Sequence, residues 1–175
     1  MQKFNKKGDE GYTDLLFGRR ELKCHPRIEA YGEIDEAISL LGLARALVKD
    51  EWSKEILLGI QHDLFLVSTE LATFPEAYHR LKKTVSEDMA QRLEELINQL
   101  EARVELPHSF IIPGDSVVSA ILDMGRAMVR RIERQVVRLR EERAISNGAI
   151  LSYLNRLADL IYTLARYQET LAHSS

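Results

Sequence analysis

Three parts of this 175-residue chain combine residue types and spacing that can do chemistry. The first is Gly8-Asp9-Glu10-Gly11-Tyr12-Thr13, where two glycines let successive backbone N–H groups converge on an anion and Thr13 adds a hydroxyl donor or a metal contact. The GxxxxGK[ST] spacing of a P-loop is absent, and an ordinary surface turn has the same composition, so both readings stand at this point. The second is a run of arginines, Arg126, Arg130, Arg131, Arg134, Arg138, Arg140 and Arg143. On a helix, Asp123, Arg126, Arg130, Glu133 and Arg134 fall within an arc of about 100°, opposite Ile121, Gly125, Met128, Ile132 and Leu139. Planar guanidinium groups on one face suit phosphate oxygens, although a solvated face, or one paired with Glu33, Asp35 and Glu36, has the same pattern. The third is Asn155, Arg156, Asp159 and Arg166 among leucines, which either tie helices together or hold a ligand. Structural pairing is the expectation for Arg156 and Asp159.

Two further groups carry less. Glu76-x-x-His79 has the spacing of a di-iron half-site but no second copy, and it follows Pro75 in a loop. Cys24, between Lys23 and His25, reads as an exposed thiol rather than a nucleophile.

These residues need elements to position them. Pro26 opens a first helix to about Lys49, with Tyr31, Ile34, Ile38, Leu41 and Val48 on its inner stripe. Ile56, Ile60, Leu64, Val67 and Leu71 define a second helix that Pro75 must end or follow. Thr84-Val85-Ser86-Glu87 has capping-box spacing before a third, through Met89, Leu93, Leu96, Ile97 and Leu100. The fourth spans about Ser116 to Arg143. The fifth, Ile150 to about Leu171, is apolar on most of its circumference and is expected at the centre. Strand-like alternation is nowhere sustained. The expectation is an all-α, five-helix bundle with ferritin-like up-down packing: one domain over residues 1–175, with an irregular arm over 1–25 and the bundle over 26–172.

Composition narrows the classes. A hydrophobic fraction of 45% with 29% charged residues suits a globular chain rather than a disordered one. The formal charge of −3 argues against a general nucleic-acid binder. A single cysteine excludes a disulfide framework or a multi-cysteine metal site within one chain. No apolar run approaches a membrane span, and Met1-Gln2-Lys3-Phe4-Asn5-Lys6-Lys7 lacks the apolar stretch of an export signal, so a soluble, cytoplasmic protein is expected.

Taken together, Gly8-Asp9-x-Gly11-x-Thr13, Lys23-x-x-Pro26-Arg27, Ala30-Tyr31-Gly32-x-x-Asp35-Glu36 and Gln61-x-Asp63-Leu64-Phe65 resemble the PduO-type corrinoid adenosyltransferases. Glu70-Leu71-Ala72-Thr73, Phe110-Ile111-Ile112-Pro113-Gly114, Arg126-x-x-x-Arg130-Arg131-x-Glu133-Arg134 and Tyr153-Leu154-Asn155-Arg156-Leu157-x-Asp159 follow in the family's order over nearly the whole chain. The resemblance implies a homotrimer with ATP bound between neighbouring subunits and cobalamin beside it. It implies transfer of the 5′-deoxyadenosyl group of ATP to the cobalt of cob(I)alamin, releasing triphosphate. It also implies a cob(II)alamin reductase and an adenosylcobalamin-dependent acceptor enzyme as partners.

By the same resemblance, Lys6, Lys7, Gly8, Asp9, Gly11, Thr13, Lys23, Arg130, Glu133, Arg134 and Asn155 are expected to hold ATP, with magnesium bridging its phosphates near Thr13. Asp35 would pair with Arg126 of the next subunit. Phe110, with Pro113 and Tyr31, would face the corrinoid and exclude a lower cobalt ligand, whereas the motif-free reading of Phe110 is a core residue. Arg126, Arg130, Asp35 and Phe110 are the expected catalytic set. The chain departs from the family at Lys7 (usually threonine), Ile38 (often asparagine), Asp115 (glycine) and Asp123 (commonly histidine). Asp115 would set a negative charge near a polyphosphate site, and with Ile38 it favours the alternative of a slow or inactive ATP- or adenosylcobalamin-binding escort.

Overall fold

The structure, a computed structural model, describes residues 6–107 and 109–173; of the run Met1–Lys7 read for an export signal, Met1–Asn5 lie outside them. Five long helices occur among the described residues: α1 (Pro26–Leu47), α2 (Glu51–Leu71), α3 (Glu87–Glu101), α4 (Val117–Glu141) and α5 (Ala149–His173). None of them is long and apolar enough to cross a membrane.

Local chemistry sets the helix starts. Pro26 supplies a fixed φ at the first position of α1, and the His25 side chain accepts from Arg27 N at 3.1 Å. Asp50 caps α2 through Ser53 N at 2.9 Å. Ser116 and Ser119 form a reciprocal box at the start of α4. Asn147 Oδ1 accepts from Ala149 N at 3.0 Å ahead of α5. The expected box at Thr84 does not form. Val85 N–H instead donates to the buried Glu70 carboxylate, so the chain stays extended through Ser86, which precedes α3 without a side-chain cap.

α4 packs on α5 and α1, α1 on α2, and α3 on α5. As expected, α5 is central: Leu154, Leu157, Leu160, Ile161 and Leu164 are fully buried, each contributing on the order of 1.5–3 kcal/mol of transfer free energy. α4 turns Leu122, Gly125, Val129, Ile132, Val136 and Leu139 inward. Ile121 and Met128, expected on that side, only flank the core. A Cβ on Gly125 would lie 3.2 Å from Leu41 Cδ2, so the missing side chain lets α4 approach α1.

The arm is not wholly irregular. Tyr12–Asp14 (β1) and Arg20–Leu22 (β2) pair antiparallel in the register Tyr12–Leu22, Thr13–Glu21, Asp14–Arg20. A turn through Phe17 (φ 67°) and Gly18 (φ 91°) joins them. Three-residue strands are too short for alternation to be legible, which is why the sequence reading missed them.

Buried polar contacts fasten this end of the bundle. Arg27, fully buried, donates through Nη1 to Leu71 O (2.7 Å) and Thr73 O (3.0 Å) and through Nη2 to Ala144 O. Burial pushes its guanidinium below the usual value, partly offset by nearby Tyr78, whose own phenol burial raises. The Glu70 carboxylate, also fully buried, takes Val85 N and Asn147 Nδ2 (2.9 Å to Oε2). Tyr153 donates to Asp63 Oδ2 at 3.1 Å, and Arg92 pairs with the same carboxylate. Burial raises the Tyr153 phenol well above its ordinary value, and the Asp63 charge adds to this.

Candidate functional site

The arm forms a cleft of about 340 Å³ lined by Lys7, Gly8, Tyr12, Thr13, Asp14, Arg20 and Lys23. Gly11 turns the chain at φ 82°, a conformation that favours glycine, and Lys23 N donates to Gly11 O at 2.8 Å, closing the base of the hairpin. A Cβ on Gly8 would sit 3.2 Å from Lys23 Nζ, so the ammonium lies directly over a bare backbone. Arg20 donates to Lys7 O at 2.6 Å and pairs with Asp14 at 3.5 Å, while Arg19 pairs with Glu21. Arg19 and Arg20 are thus engaged in pairs, and Lys23 lines the cleft with Lys7 on either side of the glycine. Lys6, at φ 56°, and Asp9 are exposed at the mouth of the same turn. Arg20 was not singled out from sequence; its position opposite Asp14 became visible only with the strand register.

The helical half lies on α4 and α5. Arg130 and Arg134 are exposed on α4, and Arg134 Nη1 donates to Arg130 O at 3.0 Å. Glu133 Oε1 accepts from Asn155 Nδ2 at 3.1 Å, and these two residues line a cleft of about 560 Å³ with Ser152 and Arg156. Arg126 lies over the Tyr162 ring, 5.4 Å from its centroid.

The arginine run therefore divides by role. Arg131 faces α1, pairing with Glu33 at 3.0 Å and Glu36 at 3.5 Å, as the pairing alternative anticipated for that residue. Asp123 does not join the open face. It turns toward α5, where Arg166 Nη2 donates to Asp123 Oδ2 at 2.6 Å and pairs with Glu169 at 3.1 Å. Arg156 pairs with Glu94 and Asp159, both at 2.9 Å, in line with the structural pairing expected of it.

The third group surrounds the loop before α4. Phe110 is fully exposed and Ile112 is 90% exposed, which overturns the reading of Phe110 as a core residue. Pro113 is exposed beside them, and Gly114 takes φ 122°. Asp115 points to the far end of α5, where its Oδ2 lies 3.3 Å from His173 Nε2. Tyr31 lies apart on α1, half-buried against the core, and Asp35 is exposed on the same helix.

The expected site residues thus gather in separate places. The hairpin sits at the α4 C-terminal end, where Arg19 shares a cleft with Leu139 and Arg143. At 1.5 Å per residue, Arg126 lies about 20 Å back along that helix from Leu139. No ion pair joins Asp35 to Arg126 within the chain among the described residues; the acidic residues of α1 that reach α4 are Glu33 and Glu36.

The described residues thus form a helical bundle carrying a glycine–lysine arm and a separate arginine face, with no P-loop spacing in the sequence. Residues 3–168 match the family described as Cobalamin adenosyltransferase. The chain is 38% identical over 175 residues to the corrinoid adenosyltransferase PduO of Salmonella typhimurium, covering all of this chain but 52% of that protein. It is 37% identical over 170 residues to the corrinoid adenosyltransferase of Bacillus subtilis, covering 95% of this chain and 86% of that one. A histidine-for-phenylalanine variant of the PduO-type ATP:corrinoid adenosyltransferase from Lactobacillus reuteri, complexed with cobalamin and ATP, superposes with a TM-score of 0.90 at 32% identity, covering 98% of this chain and 93% of that one. An arginine-to-lysine variant of that enzyme, complexed with ATP, gives a TM-score of 0.88, also at 32% identity, covering 97% and 95%. The chain belongs to the cobalamin adenosyltransferase family. It spans about half the length of the Salmonella and Citrobacter PduO proteins it matches.

Proposed function

We propose that this chain transfers the 5′-deoxyadenosyl group of ATP to the cobalt of cob(I)alamin, and that each site is shared between two copies in a homotrimer. The observation that carries the proposal is that the arm sits beside Leu139 and Arg143 at the C-terminal end of α4, about 20 Å along that helix from Arg126. A neighbour's arm laid over the helical face would unite them. Asp35 of one copy would then meet Arg126 of the next, each supplying the charge that the other lacks.

The chemistry asks little of the protein covalently. Cobalt(I) attacks C5′ with its electron pair, the C5′–O5′ bond breaks, triphosphate leaves with that pair, and cobalt becomes formally cobalt(III). What the chain must do is hold C5′ in line and stabilise the leaving charge. Lys23 over Gly8, with Arg130 and Arg134, suits the triphosphate. Glu133 holds the Asn155 amide in one orientation for the nucleoside. Magnesium would reach this cleft on the triphosphate, whose oxygens would supply most of its ligands; Thr13 and Asp14 are the side-chain oxygen donors beside Lys7, Arg20 and Lys23. Bound there, it would neutralise part of the triphosphate charge. Phe110, exposed beside Pro113, supplies an apolar surface for the lower corrinoid face. A reductase that makes cobalt(I) and an enzyme that consumes adenosylcobalamin follow as partner classes, and a reducing cytoplasm suits both.

The escort alternative rests on Asp115, exposed with its Oδ2 3.3 Å from His173 Nε2, and on Ile38, buried in α1. The deciding assay mixes chemically reduced cobalamin with Mg-ATP under anaerobic conditions and follows adenosylcobalamin and triphosphate together. Both products in equal amounts support the transferase. ATP binding without product favours the escort, and no ATP binding removes both.

A further inference from the structure

The set around Tyr162 is not explained by phosphate binding. Tyr162 lies on α5, and its ring is approached by two guanidinium groups, Arg126 at 5.4 Å and Arg166 at 5.3 Å from the centroid. Arg166 is itself immobilised: its side chain is 2% exposed and is clamped by Asp123 at 2.6 Å and Glu169 at 3.1 Å. Two carboxylates around one buried guanidinium leave an excess negative charge beneath the ring, and Arg126, which forms no ion pair in the chain among the described residues, approaches that same ring. A cation over an aromatic face within about 6 Å is held by the ring quadrupole, and long-range attraction to the carboxylates acts in the same direction.

We infer that Tyr162, backed by the Asp123–Arg166–Glu169 clamp, is a positioning residue that fixes the Arg126 guanidinium on the outer face of α4 in the orientation the shared site requires. This rests on the proposed transferase reading for its consequence, but not for its geometry. Tyr162 is half-buried and its hydroxyl is not needed for the contact, so the ring alone carries the effect. At about 0.5–1 kcal/mol for a partly exposed cation–ring contact, Tyr162→Leu should lower kcat/KM for ATP about twofold to fivefold. Tyr162→Phe, which keeps the ring, should restore it. Asp123→Asn, which removes one clamp charge while keeping the shape, should lower it in the same direction.

The test is a double-mutant cycle between Tyr162→Leu and Arg126→Lys, read with cob(I)alamin and Mg-ATP, alongside the Arg126 Nε–H resonance of arginine-labelled protein. Non-additive effects and an Arg126 resonance that moves in Tyr162→Leu but not in Tyr162→Phe are expected. Additive effects, or a resonance indifferent to the ring, overturn the inference. A wild-type protein without turnover refutes the transferase reading instead, and the resonance alone then decides whether Tyr162 positions Arg126.

Discussion

If each site takes its arm from one copy and its arginine face from the next, two inactive variants should repair one another. Lys23→Ala removes the ammonium beside Gly8, and Arg130→Ala removes an exposed guanidinium of α4; neither opens a core cavity, so both should remain folded. A lost hydrogen bond to a charged group is worth about 1.5–3 kcal/mol, so each variant alone should lose about tenfold to a hundredfold in kcat/KM for ATP. In a randomly mixed ring at equal ratio, a site is intact only when the Arg130→Ala copy supplies the arm and the Lys23→Ala copy supplies the helix. That happens at about one site in four, whatever the number of subunits in the closed ring. Refolding the two variants together should therefore recover about a quarter of wild-type activity, against a few per cent for either alone. The assay is adenosylcobalamin formation at limiting ATP on the mixed and unmixed samples, with subunit exchange confirmed by a size tag on one variant. Activity that stays at the average of the two variants would place arm and arginine face in one chain and refute the shared site.

Two other outcomes follow from particular side chains. Phe110→Ala should reduce turnover starting from cobalt(II) and a mild reductant far more than turnover starting from cobalt(I), with little change in the ATP KM. Loss of the four-coordinate cobalt(II) spectrum in the variant checks this, and an equal fall in both assays leaves Phe110 without a role at cobalt. The buried Tyr153 phenol, raised well above its ordinary value of 10.0, keeps its proton in the folded state when the unfolded chain has lost it. Stability should therefore be intact below pH 10 and fall as pH rises from there toward the folded-state value. Urea midpoints at rising alkaline pH should fall less steeply in Tyr153→Phe, and an unchanged slope rules out Tyr153 as the source.

The helices were legible because their signals are local. Pro26 and the leucine spacing of α5 each act within a few residues of where they sit. The hairpin was not legible, since three-residue strands owe their pairing to the Phe17–Gly18 turn rather than to any pattern of their own. For the same reason Thr84 misled: its capping spacing is genuine, but Glu70, 15 residues earlier in the chain than Val85, captures the backbone first. The arginines were readable as a face but not as a division of roles. Separating Arg131 from Arg130 requires knowing that Glu33 lies across from it, a distance of 98 residues along the chain. Asp123 looked like a member of the open face because 100° steps say nothing about which neighbour lies beside the helix, and only α5 supplies Arg166. Phe110 would have been assigned to the core on hydrophobicity alone, and its full exposure overturns that assignment; only the family motif placed it elsewhere.

The Arg27 contacts have a consequence for the order in which the molecule can assemble. Its acceptors stand 44, 46 and 117 residues further along the chain. Closing loops of that length costs entropy before any of the three bonds forms, so helices α1, α2 and α4 must already be docked when the guanidinium is captured. His25 and Lys23 lead directly from that anchor into β2, so the placement of the hairpin against the bundle, though not its own local pairing, depends on Arg27. Seating of the arm on the bundle thus depends on a docked core, because the chain that leads into the hairpin is anchored by contacts to the ends of α2 and α4. In a kinetic analysis, Arg27→Lys should speed unfolding while leaving the folding rate nearly unchanged, the signature of a contact made after the transition state.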